Sequence, residues 1–543
     1  MKKKVKLISS ALSIIMLSSV ALACSNKTDK QPAPSPVANE ETAVTYPLKT
    51  DKTLSFWTAD ANNILQIKPS IKDIPFYQEW QKKTGVAINF INPVMGQEKE
   101  QLNVTLASGD LPDMIEYNWK TSFPGGPEKA IKDGAILKLN DVIDKYAPNL
   151  KKYLKEHPEI DKMVKTDDGT YYAFPFVRSD ESLMVFQGPM LRQDYLTELG
   201  LQVPTTMDEW YTVLKAFKEK KGMEAPLTFR SKPRALDDIY NGAFIGAYGI
   251  NRTFYLDNGQ VKFGPAQPAY KDFLVTMRKW YAEGLLDKNI ATADQKNQDA
   301  NMTSGKSGAT ISQAGSGIGK WIGAGAANAP KYDLVAAPYP VLNKGDKPKF
   351  GQKSFAFGSE PSGMIAITGS SKNVELAAKF LDYGYSEEGH NFFNFGTEGV
   401  SYKMENGNPK YTDLIMNNPE KLSIAQSMML YIKASMSGPF VQDKRYLDQY
   451  YTMKQQKDAI VTWQNTDALK YVLPPITTTP QESTELAKIM NEVNALVDET
   501  TLKIILGASP IDEFDKYQAK LKTLNIDRAV EIQKAALDRY NKR

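Results

Sequence analysis

The sequence predicts an α/β fold of two lobes. Three observations carry that expectation. The first foldable stretch alternates short β-rich runs with helical ones. The later helices are amphipathic and clearly punctuated. The length that remains after an unstructured start exceeds one ordinary core, which argues for two lobes.

The alternation begins with "TLSFWT" (53–58), a short β-rich run. "IKDIPFYQEWQKKTG" (71–85) has a helical pattern that stops at Gly85, and "VAINFI" (86–91) alternates again. "GQEKEQLNVTLASG" (96–109) reads as a helix with a glycine stop, and "PDMIEYN" (112–118) as a third strand. A βαβαβ order implies parallel strands joined by right-handed crossovers. Ligands of such sheets gather at the strands' carboxyl ends, which here carry Trp57, Thr58, Asn92, Tyr117, Asn118 and Trp119.

Farther along, Thr206 and Glu209 have the spacing of a capping box. Trp210, Val213, Leu214 and Phe217 then share one helix face, and Gly222 ends the helix. Residues 372–389 and 485–507 are also amphipathic. In "ASPIDEFDKYQAKL", Ser509 is placed to cap and Pro510 to open a helix with a Phe514, Tyr517, Leu521 stripe. The last third is expected to be largely helical, and no repeat short enough for a solenoid is present.

The N-terminus reads as an export signal over 1–23. Lys2, Lys3, Lys4 and Lys6 precede an uncharged stretch from Leu7 to Ala23 that is too short for a comfortable membrane span. The chain holds 67 basic and 63 acidic residues, and the whole excess lies in this signal, which has no Asp or Glu. The remainder is charge-balanced, which gives no reason to expect nucleic acid as a partner. The single cysteine, Cys24, has no partner for an internal disulfide. Ala21-Leu22-Ala23-Cys24 resembles a bacterial lipobox, with Ala21 where that motif prefers Leu, which implies a lipid on Cys24. The same residues also form an A-x-A secretion site, and both readings cut the same bond. Residues 24–46 are polar and proline-bearing, as expected of a disordered tether.

Five stretches in order, "LASGDLPDMI" (106–115), "DDGTYYAFP" (167–175), "LRQDYLTELGLQVPTTMDEW" (191–210), "FLDYGYSEEGHNFFNFGTEGVSY" (380–402) and "GASPIDEFDKYQAKL" (507–521), resemble the extracellular solute-binding proteins of bacterial ABC importers. The likeness is greatest to the LipO-type lipoproteins of Gram-positive bacteria that serve carbohydrate uptake. The resemblance implies a two-lobed periplasmic-binding-protein-like fold of type II, with parallel-rich sheets and a helix-rich C-terminal part. It implies a first lobe from 47–170 and 355–440, and a second from 171–354 and 441–543, with crossings near Tyr171–Pro175 and Phe355–Ile367. It further implies a monomer on the extracellular face of the membrane, held only by its lipid. Such a protein hands a carbohydrate, an oligosaccharide, to permease subunits driven by a cytoplasmic ATPase. A non-sugar solute such as a peptide, or service as the sensor arm of a signalling system, suits the same fold. An exported carbohydrate-active enzyme suits it least.

The residues offer little for catalysis. His157 and His390 are the only histidines; the first reads as a solvated helix end and the second as part of a polar turn. No Cys/His cluster exists for a transition metal, and no cofactor is expected. The glycine-rich run 304–330 fails as a phosphate loop, because Ala300 and Ala314 stand where glycines are required and Trp321 where a hydroxyl is. It reads instead, by family analogy, as a strand, "GATIS", and a cleft loop opening a helix, with Ser312, Gln313 and Ser316 as hydrogen-bonding groups.

Sugar rings present C–H faces to aromatic planes and hydroxyls to planar polar groups. Trp57, Trp119 and Trp321 are therefore expected as stacking faces, Trp463 as either stacking face or core, and Trp210 and Trp280 as core. Thr58, Asn118, Gln313, Ser316, Arg178 and Arg230 complete the candidate ligand set. An arginine that reaches the cleft would favour an acidic sugar, because a guanidinium pairs a carboxylate in bidentate fashion. Asp113 is expected to brace its strand.

Overall fold

A computed structural model describes residues 44–543 except 60–64, 66, 232, 233, 235, 241, 242, 328, 354, 358–362 and 435. The export signal, Cys24 and the tether through residue 43 lie outside the described residues.

The first sheet is the expected one. Strand Thr53–Trp57 lies parallel between Ala87–Ile91 and Met114–Tyr117. Helices Pro75–Thr84 and Glu98–Ser108 connect them. Both helices end on a glycine in the left-handed region, Gly85 at φ 73° and Gly109 at φ 70°, where a side chain would be strained. The strand Met364–Ile367 returns much later and adds antiparallel to Met114–Tyr117. Asp113 braces this edge: it accepts from the Ser55 N–H at 2.9 Å and from the Ser371 hydroxyl at 2.6 Å.

The second sheet runs Leu334–Ala336, Gln187–Arg192, Ala309–Gln313, Leu227–Thr228. It is less parallel than expected. The strand that enters it from the first lobe, Gln187–Arg192, lies centrally and both its neighbours run against it. Only Leu227–Thr228 and Ala309–Gln313 are parallel.

Each sheet anchors its own hydrophobic core. Core membership changes between Val177 and Leu183, between Phe350 and Ala356, and again between Val441 and Tyr446. Phe395, Tyr402, Tyr411 and Met428 pack with the second core although residues on either side of them join the first. At the crossing, the two-residue strands Val177–Arg178 and Val441–Gln442 run side by side in parallel.

Local rules account for most helices, with two departures. The stretch 372–389 is not one helix. It is Val374–Asp382, a 3-10 turn Tyr383–Tyr385, and a new helix Glu387–Phe395. Ser386 restarts it by accepting the Gly389 N–H at 3.0 Å, so His390 is helical rather than in a turn. Pro510 does not open an α-helix; it precedes a 3-10 turn, Ile511–Glu513, and the helix is Phe514–Thr523, with its Phe514, Tyr517, Leu521 stripe buried. The helix Pro480–Ile505 starts at a Thr479/Glu482 capping box and is tied to the second lobe by Arg234, whose guanidinium forks Asp498 at 2.8 and 2.6 Å.

The Thr206/Glu209 capping box forms as expected at the start of Met207–Lys221. The Thr205 N–H, then Lys344 and the Thr205 hydroxyl, lower the Glu209 carboxyl from the ordinary 4.5 to about 2. A carboxyl lowered by folding contributes stability above its unfolded value and loses it as pH falls toward the folded one. Glu209→Gln keeps the neutral box but not the charge. The unmodified protein is therefore expected to lose more stability than this variant between about pH 5 and pH 2, read by urea denaturation across that range.

Candidate functional site

A cleft of about 460 Å³ opens where the chain passes between the two cores. Its floor comes from the crossing strands, through Arg178 and Gln442. One wall is the end of strand Ala309–Gln313 and the turn after it, through Gln313, Gly315 and Ser316. Facing it are Tyr446, Tyr450 and Tyr451, with Met429, Met436 and Ser437 nearby.

The tyrosines follow from helical spacing. Residues four apart on Arg445–Tyr450 stack above one another. Tyr446 and Tyr450 accordingly lie with ring centroids 6.4 Å apart and planes within 18°. Tyr451 joins at 5.1 Å from Tyr450. The helix is pinned at its start by Asp443, which accepts from the Arg445 N–H at 2.8 Å and from its guanidinium, and sits 3.1 Å from His390 Nε2. Burial pushes the Asp443 carboxyl up, but the hydrogen bonds from His390 and Arg445 outweigh it and hold it below the usual range.

The opposite wall is fitted to these rings. A Cβ on Gly315 would run into the Tyr450 hydroxyl and ring edge, so only glycine allows this approach. Ser316 donates to Gln313 Oε1 at 2.7 Å, which orients the amide at the cleft surface. Gln442 Nε2 donates to the Ala434 carbonyl and to Tyr446 Oη, the latter at 3.2 Å. Arg178 lies over the Phe176 ring, 5.2 Å from its centroid, and burial lowers its pKa without neutralising it.

Behind Ser437 lies Glu116, in the inner strand Met114–Tyr117 of the first sheet. It accepts from Ser437 at 2.7 Å and from Thr58 at 2.6 Å, and burial raises its pKa against those two bonds.

Of the candidate ligand residues, Arg178, Gln313 and Ser316 are brought together on the cleft. The others are placed elsewhere. Thr58 is buried and serves Glu116. Asn118 turns back to accept the Thr121 N–H at 3.0 Å. Arg230 forks the buried Asp238 at 3.1 and 2.8 Å within the second lobe. The structure places Trp57, Trp119 and Trp321 in the interior rather than on the cleft, and Trp463, expected as either, in the core. Trp57 packs into the first core at 2% exposure. Trp119 is enclosed between the Tyr117 and Phe123 rings. Trp321 donates to Asp299 at 2.8 Å from the second core, and Trp463 to the Pro189 carbonyl at 3.0 Å, with its ring against Gly188. Trp57 ends a strand and Trp119 follows one, whereas Trp321 and Trp463 lie in helices; each indole has more apolar surface to bury than any other side chain and turned inward.

Sequence reasoning missed Tyr446, Tyr450 and Gln442. The signal was in "VQDKRYLDQYY" (441–451), where two tyrosines stand at helical spacing behind a polar crossing segment.

Chemically, the cleft offers aromatic planes, thioethers, amides, hydroxyls and one guanidinium. Among the described residues that line it there is no carboxylate and no histidine. The described residues also hold no metal-ligating cluster and no helix long and apolar enough to cross a membrane. The arrangement suits a ligand with C–H faces and hydroxyls.

Comparison with known proteins agrees with this geometry. A family model described as bacterial extracellular solute-binding protein matches residues 65–391. The chain is similar to the fructooligosaccharide ABC transporter substrate-binding protein FusA of Streptococcus pneumoniae serotype 4, at 26% identity over 532 residues and 92% of each chain. It is similar to Lipoprotein LipO of Bacillus subtilis, at 26% over 412 residues, 73% of this chain and 76% of the other. Among solved structures it resembles the alginate-binding protein AlgQ2, with a TM-score of 0.73 and 27% identity over 90% of this chain and 99% of that one.

Proposed function

We infer a function from one premise: this chain belongs to the bacterial extracellular solute-binding proteins. Its fold is the two-lobed α/β architecture of type II solute-binding proteins. It is a substrate-binding receptor of an ABC importer, and its solute is a carbohydrate. The names of its relatives support this, since FusA is a fructooligosaccharide-binding and AlgQ2 an alginate-binding protein.

The observation that carries the reading is the stacked Tyr446–Tyr450 pair facing Gln313 and Ser316 across the cleft. Rings on one side and hydrogen-bonding groups on the other match the two surfaces of a saccharide. The fructooligosaccharide in the name of FusA supports an oligosaccharide. In our reading, residues 47–170 and 355–440 form one lobe and 171–354 and 441–543 the other. The lobes close on the sugar and present it to two permease subunits whose cytoplasmic ATPase supplies the energy. The protein catalyses no reaction and needs no cofactor. It works as a monomer tethered through a lipid on Cys24 to the outer face of the cell membrane.

Isothermal titration of the purified protein with neutral and acidic oligosaccharides, and with peptides of similar size, tests the solute class. Saccharide binding without peptide binding is expected; the reverse would overturn the proposal. For the anchor, mass spectrometry of the mature N-terminus should find diacylglycerol on Cys24, and an unmodified thiol there would refute it.

A further inference from the structure

The helix that carries the cleft's stacked tyrosines, Arg445–Tyr450, is only six residues long. A helix this short has no stability of its own in water, so the angle at which it presents Tyr446 and Tyr450 is set by its neighbours. Its reverse side carries Arg445, Asp448 and Gln449, spaced three and four residues apart. These three line a second cavity, of about 630 Å³, on the other side of the helix from the cleft.

Most of that cavity's other lining belongs to a hairpin, Tyr402–Glu405 paired antiparallel with Asn408–Tyr411. The hairpin is seated in the second core. The Tyr402 and Tyr411 rings each lie 5.9 Å from Phe395, and the Tyr411 hydroxyl donates to the Asn394 carbonyl at 2.8 Å. The Tyr411 N–H and the Pro409 carbonyl, two residues apart on one strand, open on the same outer edge, where backbone groups need a partner. Gln449 supplies it. Its Oε1 accepts the Tyr411 N–H at 2.7 Å, and its Nε2 donates to the Pro409 carbonyl at 3.1 Å. The amide also donates to the Arg445 carbonyl, one turn back, at 3.2 Å. A side-chain amide so placed fills the position of a peptide group in a neighbouring strand, with its oxygen and both N–H groups engaged.

The two ends of the tyrosine helix are therefore held from different sides. Asp443 pins its start through the Arg445 N–H. Gln449 fastens its last turn to the hairpin, at the residue just before Tyr450. Gln449 is not among the residues that line the cleft, so it acts on a solute only through the rings in front of it. The last turn of a helix is where fraying starts, because its carbonyls lack partners within the helix. Loss of this fastening would free Tyr450 from its place against Tyr446 and Gly315.

We propose that Gln449 is a positioning residue for saccharide binding: by standing in for a strand at the outer edge of the hairpin, it fixes the Tyr446–Tyr450 platform from behind. This rests on the carbohydrate reading above and on its tyrosine wall.

The test is Gln449→Met in the full mature protein, which keeps the side chain's length and removes its hydrogen bonds. The probes are neutral and acidic oligosaccharides, a fructooligosaccharide and an alginate oligosaccharide among them, followed by titration calorimetry. The saccharide that binds the unmodified protein should bind this variant about five- to tenfold more weakly, while the thermal midpoint falls by no more than a few degrees. The tyrosine band of the near-ultraviolet circular dichroism should change in the ligand-free variant. In a Tyr450→Ala background the same substitution should cost at most about twofold further, because the ring it positions is gone, whereas a general loosening of the fold would cost as much in either background. Gln449→Glu, which keeps an acceptor for the Tyr411 N–H, should fall between the two proteins, and it carries the test where Gln449→Met fails to fold. Unchanged affinity, an unchanged tyrosine band, or full additivity with Tyr450→Ala would each overturn the positioning role and leave the carbohydrate reading standing. Failure of every saccharide to bind the unmodified protein would overturn both.

Discussion

Tyr450→Ala is expected to weaken saccharide binding by about 10- to 100-fold with little change in thermal stability. Tyr450 is half-buried, stacks on Tyr446 and lines the cleft. An aromatic contact contributes about 0.5–1.5 kcal/mol beyond the area it covers, and the lost apolar area adds on the order of another kcal/mol. Each 1.4 kcal/mol is about tenfold in affinity. Tyr450→Phe keeps the ring and should stay within a few-fold of the unmodified protein. Gly315→Ala should resemble Tyr450→Ala in direction, because its methyl group would displace the tyrosine from the wall it leans on. Titration calorimetry on all three variants checks this. If Tyr450→Ala bound normally, the aromatic wall would not be the sugar platform.

Trp463→Ala is expected to do the opposite. It should cost about 3–5 kcal/mol of stability, read by urea denaturation under circular dichroism, while the folded fraction keeps most of its affinity. Trp463 is fully buried, its N–H is spent on Pro189, and Gly188 lies against its ring. Removing it leaves a cavity between the helix Lys454–Gln464 and the strand Gln187–Arg192. A variant that stayed stable but lost its ligand would return this tryptophan to the cleft.

That contrast shows which parts of the molecule could be read from its sequence. Helix ends were legible because their causes are local. Gly85, Gly109 and Gly222 stop helices, and Thr206 with Glu209 starts one, through interactions spanning three or four residues. The βαβαβ order was legible for the same reason. Two helix errors came from competing local signals: Ser386 restarted a helix that periodicity alone would continue, and Pro510 settled into a 3-10 turn.

The site was legible only in part. Gln313 and Ser316 read, by family analogy, as part of a cleft loop after a strand, and Arg178 as a loop residue; all three line the cleft. Trp57 and Trp119, expected as stacking faces, turned inward: strand ends tell where a residue stands and not which way its side chain turns. Arg230 was occupied by Asp238, eight residues away, and Arg234 by Asp498, far along the chain. Such partners appear only once the chain is folded. Tyr446 and Tyr450 lie in a segment whose role depends on its crossing between lobes, which no local pattern announces.

The burial of the tryptophans has a practical consequence. All seven are at most 2% exposed, whereas the cleft carries tyrosines and no tryptophan among its described lining residues. Indole emission from this protein should be blue-shifted and shielded from iodide or acrylamide. It should follow unfolding closely and respond little when a sugar arrives. Ligand entry should register instead as a near-ultraviolet tyrosine difference spectrum, so the two chromophores divide the molecule's behaviour between them, one reporting the integrity of its cores and the other the occupancy of its cleft.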